Sequence, residues 1–318
     1  MTGYIFPLSS PNTQLSQSNP VSVAMPLQAC NLFSVYSLQW RQNILWVSVD
    51  APTEMSENKV QAKYLVQQIY TRLERSSVQA VCIDPKVGET HLKTWAEACK
   101  QAGKPVYLRV PGGATPKSMS PSQWTLKRFL DVSATLLGCL IISPILCVIA
   151  MLVKMSSPGP IFYQQWRVGN RGKLYQVWKF RSMVANAESL HHQVMGSQQG
   201  LHKQENDPRI TPIGYWLRKY SLDELPQLIN VLKGEMSLVG PRPWAFYDAL
   251  QVPNSSLERL RAMPGITGEW QVMARSNLRD MHSVTQCDLA YLKGWSIKRD
   301  LQLLMMTFPK VITGFGAF

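Results

Sequence analysis

Two adjacent acidic residues, Asp223 and Glu224, have a type and spacing that could act on a bound phosphate. They lie in the segment SLDELPQL (221–228), in which Ser221 and Glu224 also have the spacing of a helix capping box. Acidic residues in the first turn of a helix interact favourably with the helix dipole. Taken alone, the segment is therefore typical of an ordinary helix start.

Basic residues around this acid pair favour a catalytic interpretation. Arg218 and Lys219 come directly before it, and the glycine-rich segment GEMSLVGPRP (234–243), which contains Arg242, follows it. Glycines let backbone amides approach a phosphate, and arginine can bind phosphate through two N–H groups. Further charges of the same kind lie in the segments KFR (179–181) and NDPR (206–209).

Two carboxylates among several cations predict a site for a phosphate ester together with a divalent metal. Mg²⁺ commonly takes one or two protein carboxylates and completes its coordination with phosphate oxygens and water. A carboxylate can also attack phosphorus and form an acyl-phosphate intermediate. The pair Asp223 and Glu224 is thus the candidate catalytic centre, and Mg²⁺ is the expected cofactor.

Six segments, in the order found in one protein family, carry a resemblance to that family. They are KRFLDVSATLLGCLIISPI, PGPIFYQQWRVGNRGK, VWKFRSM, NDPRITPIGYWLRKYSLDELPQLINVLKGEMSLVGPRP, PGITGEWQV and DLAYLKGWS. Over residues 124–313 the chain resembles the bacterial sugar transferases, which are monotopic polyprenyl-phosphate phosphoglycosyl transferases. The first 120 residues lie outside this resemblance.

The resemblance implies an activity and assigns roles to residues. The activity is transfer of a sugar 1-phosphate from a nucleotide diphosphate sugar, with UDP favoured, to a polyprenyl phosphate, the initiating step of exopolysaccharide or other surface glycan synthesis. In a two-step, ping-pong reaction, Asp223 would be the nucleophile that takes the phosphosugar, with Glu224 beside it at Mg²⁺ and both acids as metal ligands. The expected phosphate-binding residues are Lys179, Arg209, Arg218 and Arg242. Further expected site residues are Asp207, Arg275 and Asp288.

The chain also departs from the family pattern near the segment PGITG (264–268). Met263 stands where the family usually has a basic residue, and Glu269 stands where an apolar residue is common. Lys298 and Arg299 replace residues that are often apolar. These departures concern the specificity for the donor sugar and the contact with the membrane. They leave unchanged the acid pair and the segment 234–243 that contains Arg242.

An apolar segment precedes these motifs and must position them at a membrane. Residues 132–153 carry no charge and would form a helix about 33 Å long, enough to cross a bilayer core. An ordinary transmembrane helix is therefore one interpretation, and a buried core helix is another. Lys127 and Arg128 precede the run and Lys154 follows it, so positive charge flanks both ends.

The break at Ser143–Pro144 favours a third interpretation, a re-entrant helix over residues 129–154. Proline removes a helical hydrogen bond, and the Ser143 hydroxyl could satisfy the freed backbone group. We therefore expect a helix–break–helix that enters one leaflet and returns on the same side. Residues 297–308 are interpreted either as an interfacial amphipathic helix or as a core helix.

The composition and the pattern of elements indicate the domain organisation. The 318 residues are 45% apolar and 17% charged, with a net charge of +13, which indicates an anionic partner. Residues 1–42 are predicted to be a poorly ordered tail. Residues 43–110 alternate strands and helices and predict a small α/β, Rossmann-like accessory domain without a dinucleotide motif. A linker is expected at 111–123. Residues 124–318 are expected to form an α+β, mostly helical, monotopic catalytic domain.

Two classes of function remain from the sequence. One is the membrane-associated enzyme, with a nucleotide sugar, polyprenyl phosphate and the membrane as partners, at the cytoplasmic face of the bacterial plasma membrane. The other is a non-catalytic, membrane-anchored protein that binds acidic lipid or nucleic acid. The acid pair favours the enzyme, because carboxylates repel a polyanion, and no nucleic-acid-binding motif occurs. The sequence leaves open whether the chain forms a homo-oligomer.

Overall fold

The computed structural model describes six parts of the chain. These are residues 35–49, 59–110, 120–187, 207–251, 259–273 and 281–314. The first two parts form one α/β unit, and the remaining four form a second unit around two small sheets. Among these residues one helix, Pro121–Ser156, is long and apolar enough to cross a bilayer.

The first unit is a four-stranded sheet in the order β1-β2-β3-β4 with two helices. β2 pairs parallel with β3, and β3 pairs parallel with β4, in line with the alternating strand and helix pattern of the sequence. The elements are β1 (Ser37–Arg41), β2 (Ile44–Ser48), α1 (Lys59–Glu74), β3 (Ala80–Ile83), α2 (Glu89–Gln101) and β4 (Val106–Leu108).

Strand β1 lies inside the range 1–42 for which a poorly ordered tail is predicted, and the prediction is wrong for this strand. β1 forms an antiparallel hairpin with β2 through Gln42 and Asn43, which both have positive φ angles, 49° and 63°. Such angles match the turn type that joins two strands most tightly. The hairpin was missed because Gln42 is an unusual residue for this turn. Residues 1–34 lie outside the described residues.

Helix α3 (Pro121–Ser156) is continuous over 36 residues, or about 54 Å if straight. Ser120 and Gln123 cap its first turn reciprocally, so residues 121–123 belong to the helix and not to the predicted linker; residues 111–119 lie outside the described ones. The backbone stays helical through Pro144, so α3 is one continuous helix, which is compatible with a re-entrant helix. The Ser143 hydroxyl donates to the carbonyl of Leu140 at 2.9 Å, which satisfies the group that Pro144 leaves without a donor.

Both ends of α3 pack against the second unit, while its middle is exposed. Near its start, Lys127 and Asp131 are buried, and Lys127 Nζ lies 2.5 Å from Asp300 Oδ2. Near its end, Val153 is buried in a cluster with Phe180. Between these two contacts, the leucine and isoleucine side chains are 54% to 74% exposed at Leu136, Leu137, Leu140, Ile141 and Ile145. An apolar segment is therefore held at both ends and left without protein contacts in its centre.

The second unit contains two small sheets that carry the candidate site. One has the order β6-β5-β8 and is antiparallel, with β5 (Phe162–Val168), β6 (Leu174–Phe180) and β8 (Trp244–Ala245). The other pairs β7 (Ser237–Val239) parallel with β9 (Gly265–Thr267). The helices are α4 (Pro212–Lys219), α5 (Leu228–Lys233), α6 (Phe246–Gln251), α7 (Glu269–Met273), α8 (Met281–Lys293) and α9 (Ile297–Thr313).

Helix α9 has two faces, so each interpretation of its sequence describes one of them. Leu303 is fully buried against the core of the second unit. The opposite face carries Leu301, Met305, Phe308 and Ile312, which are 57% to 72% exposed. An exposed apolar stripe of this kind is suited to a membrane interface.

The two units share one hydrophobic core. Buried residues of the α/β unit, among them Leu108, belong to the same cluster as Val168 and Leu174 of the β5–β6 hairpin. Gly172 in the turn of that hairpin lies so close to β4 that a Cβ atom there would come within 2.3 Å of the Leu108 carbonyl oxygen. The α/β unit thus packs on the back of the sheet that carries the candidate site.

We predict that Gly172→Ala destabilises the protein more than Gly88→Ala. Both glycines have positive φ angles, +78° and +83°, so alanine strains the backbone at both positions, by about 1 kcal/mol or more. Only at Gly172 does the new methyl group also meet backbone, because nothing lies within 4 Å of a Cβ at Gly88. Thermal unfolding of the two variants in detergent measures the difference. Equal losses would contradict the close packing of the two units.

Candidate active site

The acid pair lies on a short 3₁₀ helix, Leu222–Gln227, rather than at the start of an α-helix. Ser221 has a left-handed conformation with φ 53° and makes no side-chain capping bond, so the capping-box interpretation is wrong. A backbone bond closes this turn, from the Glu224 amide to the Ser221 carbonyl at 3.2 Å.

Glu224 is the point on which two cations meet. Lys179 Nζ, from β6, lies 2.7 Å from Glu224 Oε1, and Arg242 Nη2 lies 3.2 Å from the same oxygen. Lys179 and Arg242 come from segments more than 60 residues apart. The structure thus brings three residues that the sequence analysis selected to one place.

Asp223 is 8% exposed and lies beside this cluster. Burial raises the pKa of Asp223 to about 6, and the charge of Lys179 opposes this shift while that of Glu224 adds to it. A carboxylate with a raised pKa is a stronger base than an ordinary one and still ionised at neutral pH. Such a carboxylate, set among cations that attract a phosphate, has the properties of a nucleophile toward phosphorus.

A small cleft opens beside Glu224 between the two sheets. Its floor and walls include Arg167, Lys179, Glu224, Gln227, Arg242, Pro243 and Gly265. The turn that carries Arg242 is held against β9 by two backbone bonds, from the Gly240 amide to the Thr267 carbonyl and from the Gly265 amide to the Pro241 carbonyl, both 2.9 Å. A Cβ at Gly265 would lie 2.1 Å from the Gly240 nitrogen, so this approach requires glycine.

Asp288 acts on the site through a second residue, Arg259. Arg259 Nε donates to Asp288 Oδ2 at 2.6 Å, and both side chains are 1% exposed. Arg259 Nη2 also donates to the backbone carbonyl of Arg242 at 2.8 Å, and its guanidinium lies over the Trp244 ring at 3.8 Å. Asp288 therefore orients Arg259, which holds the backbone at Arg242 and packs on the Trp244 ring.

Asp207 and Arg209 form a buried pair apart from the cleft lining. Arg209 Nη2 lies 2.6 Å from Asp207 Oδ2, and Arg209 Nε donates to Asp207 Oδ1 at 2.8 Å. These bonds hold the pKa of Asp207 below its usual range. The charge of Arg218 lowers the pKa of both Asp207 and Asp223, so it lies near both acids. Neither Arg209 nor Arg218 is among the described residues that line the cleft.

Arg275 falls outside the described residues, and the sequence analysis missed two arginines that the structure brings to the site. Arg259 carries no motif signal beyond a basic residue ahead of PGITG. Arg167 could have been recognised, because it lies within the segment QQWRVGN (164–170), which was quoted only for resemblance. Arg167 lies near the end of a strand, two residues before Gly169, and a side chain at such a position can reach a cleft.

Comparison with known proteins identifies the family. The sequence matches the bacterial sugar transferase family over residues 122–314, more than half of the chain. The protein belongs to the bacterial sugar transferase family. The matched range begins at the second residue of α3 and ends one residue after α9. It therefore contains every residue of the cleft and leaves out the α/β unit.

Three relatives are similar to this chain. One is a galactosyl transferase, CpsE, of Streptococcus agalactiae, 39% identical over 60% of this chain and 43% of its own length. Another is the exopolysaccharide production protein ExoY of Rhizobium meliloti, 35% identical over 70% of this chain and 99% of its own. The third is the UDP-glucose:undecaprenyl-phosphate glucose-1-phosphate transferase of Escherichia coli, 41% identical over 61% and 41%. This chain thus spans less than half the length of the first and third.

Two of the departures from the family pattern compensate each other in this bacterial sugar transferase. Arg299 Nε donates to Glu269 Oε2 at 3.0 Å, and a second bond joins the same two side chains. The pair connects α9 to α7, directly after β9. Glu269 and Arg299 both stand where apolar residues are common in the family, and here they bond to each other, away from Asp223 and Glu224.

We predict that removing both partners of the Arg259–Asp288 pair costs less stability than the sum of the losses in the single variants Asp288→Asn and Arg259→Met. Asp288→Asn leaves a buried guanidinium without its counter-charge, at a cost of about 3–5 kcal/mol. Arg259→Met combined with Asp288→Asn removes both charges. Its unfolding free energy should therefore be reduced by less than the sum of the single variants, as measured by chemical denaturation. Additive losses would contradict the pairing.

Proposed function

We propose that this protein transfers a sugar 1-phosphate from a UDP-sugar to a polyprenyl phosphate and releases UMP, as the initiating step of exopolysaccharide or other surface glycan synthesis. The observation that carries the proposal is the buried Asp223 directly beside Glu224, whose carboxylate is shared by two cations and lines a cleft that contains a third cation. The name of the Escherichia coli relative, which specifies UDP-glucose and undecaprenyl phosphate, supports the substrate classes.

The proposed reaction has two steps that use the same carboxylate. In the first, an Asp223 oxygen attacks the sugar-bearing phosphorus, the bond from this phosphorus to the bridging oxygen breaks, and UMP leaves with the electron pair. The product is an acyl phosphate on Asp223. In the second, an oxygen of the polyprenyl phosphate attacks that phosphorus and the Asp223 carboxylate leaves. A stored phosphosugar lets a soluble donor leave before a lipid acceptor arrives.

The cations of the cleft offset the repulsion between the two carboxylates and the negatively charged phosphates of the substrate. Lys179 and Arg242 already donate to one oxygen of Glu224, so they are positioned before a substrate arrives. Phosphoryl transfer depends mainly on positioning and on electrostatic stabilisation of the phosphate oxygens. Prior positioning of these donors avoids the cost of rearranging them during the reaction.

Mg²⁺ is the proposed cofactor, held by Glu224 and Asp223 together with phosphate oxygens of the donor. Two adjacent carboxylates give the hard oxygen ligands that Mg²⁺ prefers, and phosphate oxygens and water commonly fill its other positions. No group of three or more metal-binding side chains occurs in the described part of the chain. When bound, the ion would neutralise charge on the donor diphosphate.

The contacts of α3 support a monotopic placement, and we propose that it is at the cytoplasmic face of the plasma membrane. Its start is tied to Asp300 and its end to the cluster around Phe180, both within the same unit. A helix that crossed the bilayer would place these two ends on opposite sides. We therefore propose that α3 bends at Pro144, so that its exposed middle enters one leaflet while both ends stay on the same side, with the apolar face of α9 at the interface.

The first test is UMP release by the purified protein in detergent with Mg²⁺, undecaprenyl phosphate and a panel of UDP-sugars. Asp223→Asn should lower release by at least about a thousandfold, because it removes the nucleophile and keeps the shape of the side chain. Glu74→Gln, on the exposed face of α1, is the matched control and should keep full activity. Release that is unchanged in Asp223→Asn would contradict the mechanism.

The second test locates both ends of α3 relative to the membrane. Ser122→Cys and Pro158→Cys introduce thiols at exposed positions beside its start and its end. A membrane-impermeant maleimide should label both in inverted membrane vesicles and neither in intact spheroplasts. Mass spectrometry of the labelled peptides separates these sites from the six native cysteines. Labelling of one site from each side would instead indicate a transmembrane helix.

A further inference from the structure

Arg167 is a cation in the cleft that neither the sequence motifs nor the proposed chemistry has yet used. It lies on β5, the central strand of its sheet, paired with Tyr175 of β6 on one side and Ala245 of β8 on the other. Side chains alternate along a strand, so Arg167 faces the same side of the hairpin as Val177 and Lys179, which also line the cleft.

The hydrogen bonds of Arg167 leave much of its guanidinium unused. Nη1 donates to the Pro243 carbonyl at 3.3 Å, and Nη2 donates to Gln165 Oε1 at 2.6 Å. A guanidinium has five N–H groups, and the structure records no acceptor for the other three in the part of the chain that it describes. Both recorded acceptors are uncharged, so these bonds hold the group in place without neutralising it.

Arg167 differs from Lys179, Arg242 and Arg259, which each have an ion-pair partner within 4 Å among the described residues. Lys179 and Arg242 share Glu224, and Arg259 is paired with Asp288. No ion pair of Arg167 is recorded among the described residues. Burial and the charge of Arg242 lower the pKa of Arg167, and the nearby Tyr247 and Asp248 offset this shift only in part, so on balance the surroundings oppose its positive charge. An anionic ligand in the cleft would relieve this opposition.

The position of Arg167 along the sheet indicates which part of a ligand it meets. Lys179 and Tyr175 are four residues apart on β6, about 13 Å along the strand. Since Arg167 is level with Tyr175, its backbone lies that far from the Lys179 end, where the acid pair is. Its side chain reaches back toward Pro243 and the cleft. A donor whose sugar-bearing phosphorus sits at Asp223 could extend its other phosphate in this direction.

We propose that Arg167 binds the phosphate of the leaving nucleoside monophosphate. This proposal rests on the proposed function. As the bond between the sugar-bearing phosphorus and the bridging oxygen breaks, the electron pair stays on that oxygen, and the charge of the leaving phosphate rises from −1 to −2. The unused N–H groups of Arg167 stabilise this added charge. Lys179 and Arg242 meanwhile act at the phosphate that is transferred to Asp223.

The direct test measures binding of UMP and of uridine to the full-length protein in detergent by calorimetry. Arg167→Met should weaken UMP binding about tenfold or more, as expected for the loss of a charge-assisted hydrogen bond to phosphate. Uridine binding should not change, because uridine lacks the phosphate. Arg171→Met is the matched control, since it removes the same charge from an exposed position in the turn of the same hairpin, and UMP affinity should not change.

Three results would overturn the proposal. They are an unchanged UMP affinity in Arg167→Met, an equal loss for UMP and uridine, and an equal loss in Arg171→Met. If Arg167→Met does not fold, Arg167→Lys replaces it, because it keeps the charge and loses the planar fork. A folded Arg167→Lys protein should lose part of its affinity for UMP alone, and wild-type affinity would overturn the proposal.

Binding, turnover and UMP inhibition, measured together, separate this proposal from the proposed function. A wild-type protein that binds UMP through Arg167 and transfers no sugar phosphate would contradict the function alone. Turnover in the wild type, with unchanged UMP inhibition in Arg167→Met, would contradict the role of Arg167 alone. Turnover with inhibition that weakens only in Arg167→Met would support both.

Discussion

The structure depends on one electrostatic constraint: two adjacent carboxylates are kept in a poorly solvated place. Without counter-charges, Asp223 and Glu224 would repel each other, lose hydration and take up a proton. Lys179 and Arg242 meet on a single oxygen of Glu224 and supply those counter-charges. Much of the surrounding architecture serves to bring them together, since β6 carries the lysine, and the turn after β7, held by β9 and by Arg259, carries the arginine.

A second constraint comes from the long apolar helix, which is attached to the same unit at both ends. Asp300 of α9 accepts bonds from Lys127, Tyr291 and Trp295, so a buried carboxylate joins the start of α3 to α8 and α9. The other end of α3 packs beside Phe180, which is the last residue of β6. Since Lys179 lies on the same strand, β6 connects the apolar helix α3 to the candidate site.

The sequence allowed some of this to be predicted. Alternating apolar periods indicated the parallel strands and two helices of the first unit, and clustered motifs indicated the acid pair and its basic neighbours. Local sequence patterns did not predict the structure where contacts between distant segments determine it. The hairpin at Gln42 and Asn43 lacks the usual turn residues, and Ser221 adopts a left-handed conformation instead of capping a helix. Arg259 and Arg167 depend on partners 17 to 76 residues away, which no periodicity reveals.

The central claim is that Asp223 carries the sugar phosphate between donor and acceptor, and intact-protein mass spectrometry tests it most directly. The purified protein is mixed with Mg²⁺ and a UDP-sugar without lipid, then quenched in acid within seconds. The account predicts an added mass equal to one sugar phosphate on the wild type, its loss when undecaprenyl phosphate is added, and no adduct on Asp223→Asn. Turnover without any adduct on the wild type, or an adduct that persists in Asp223→Asn, would contradict it.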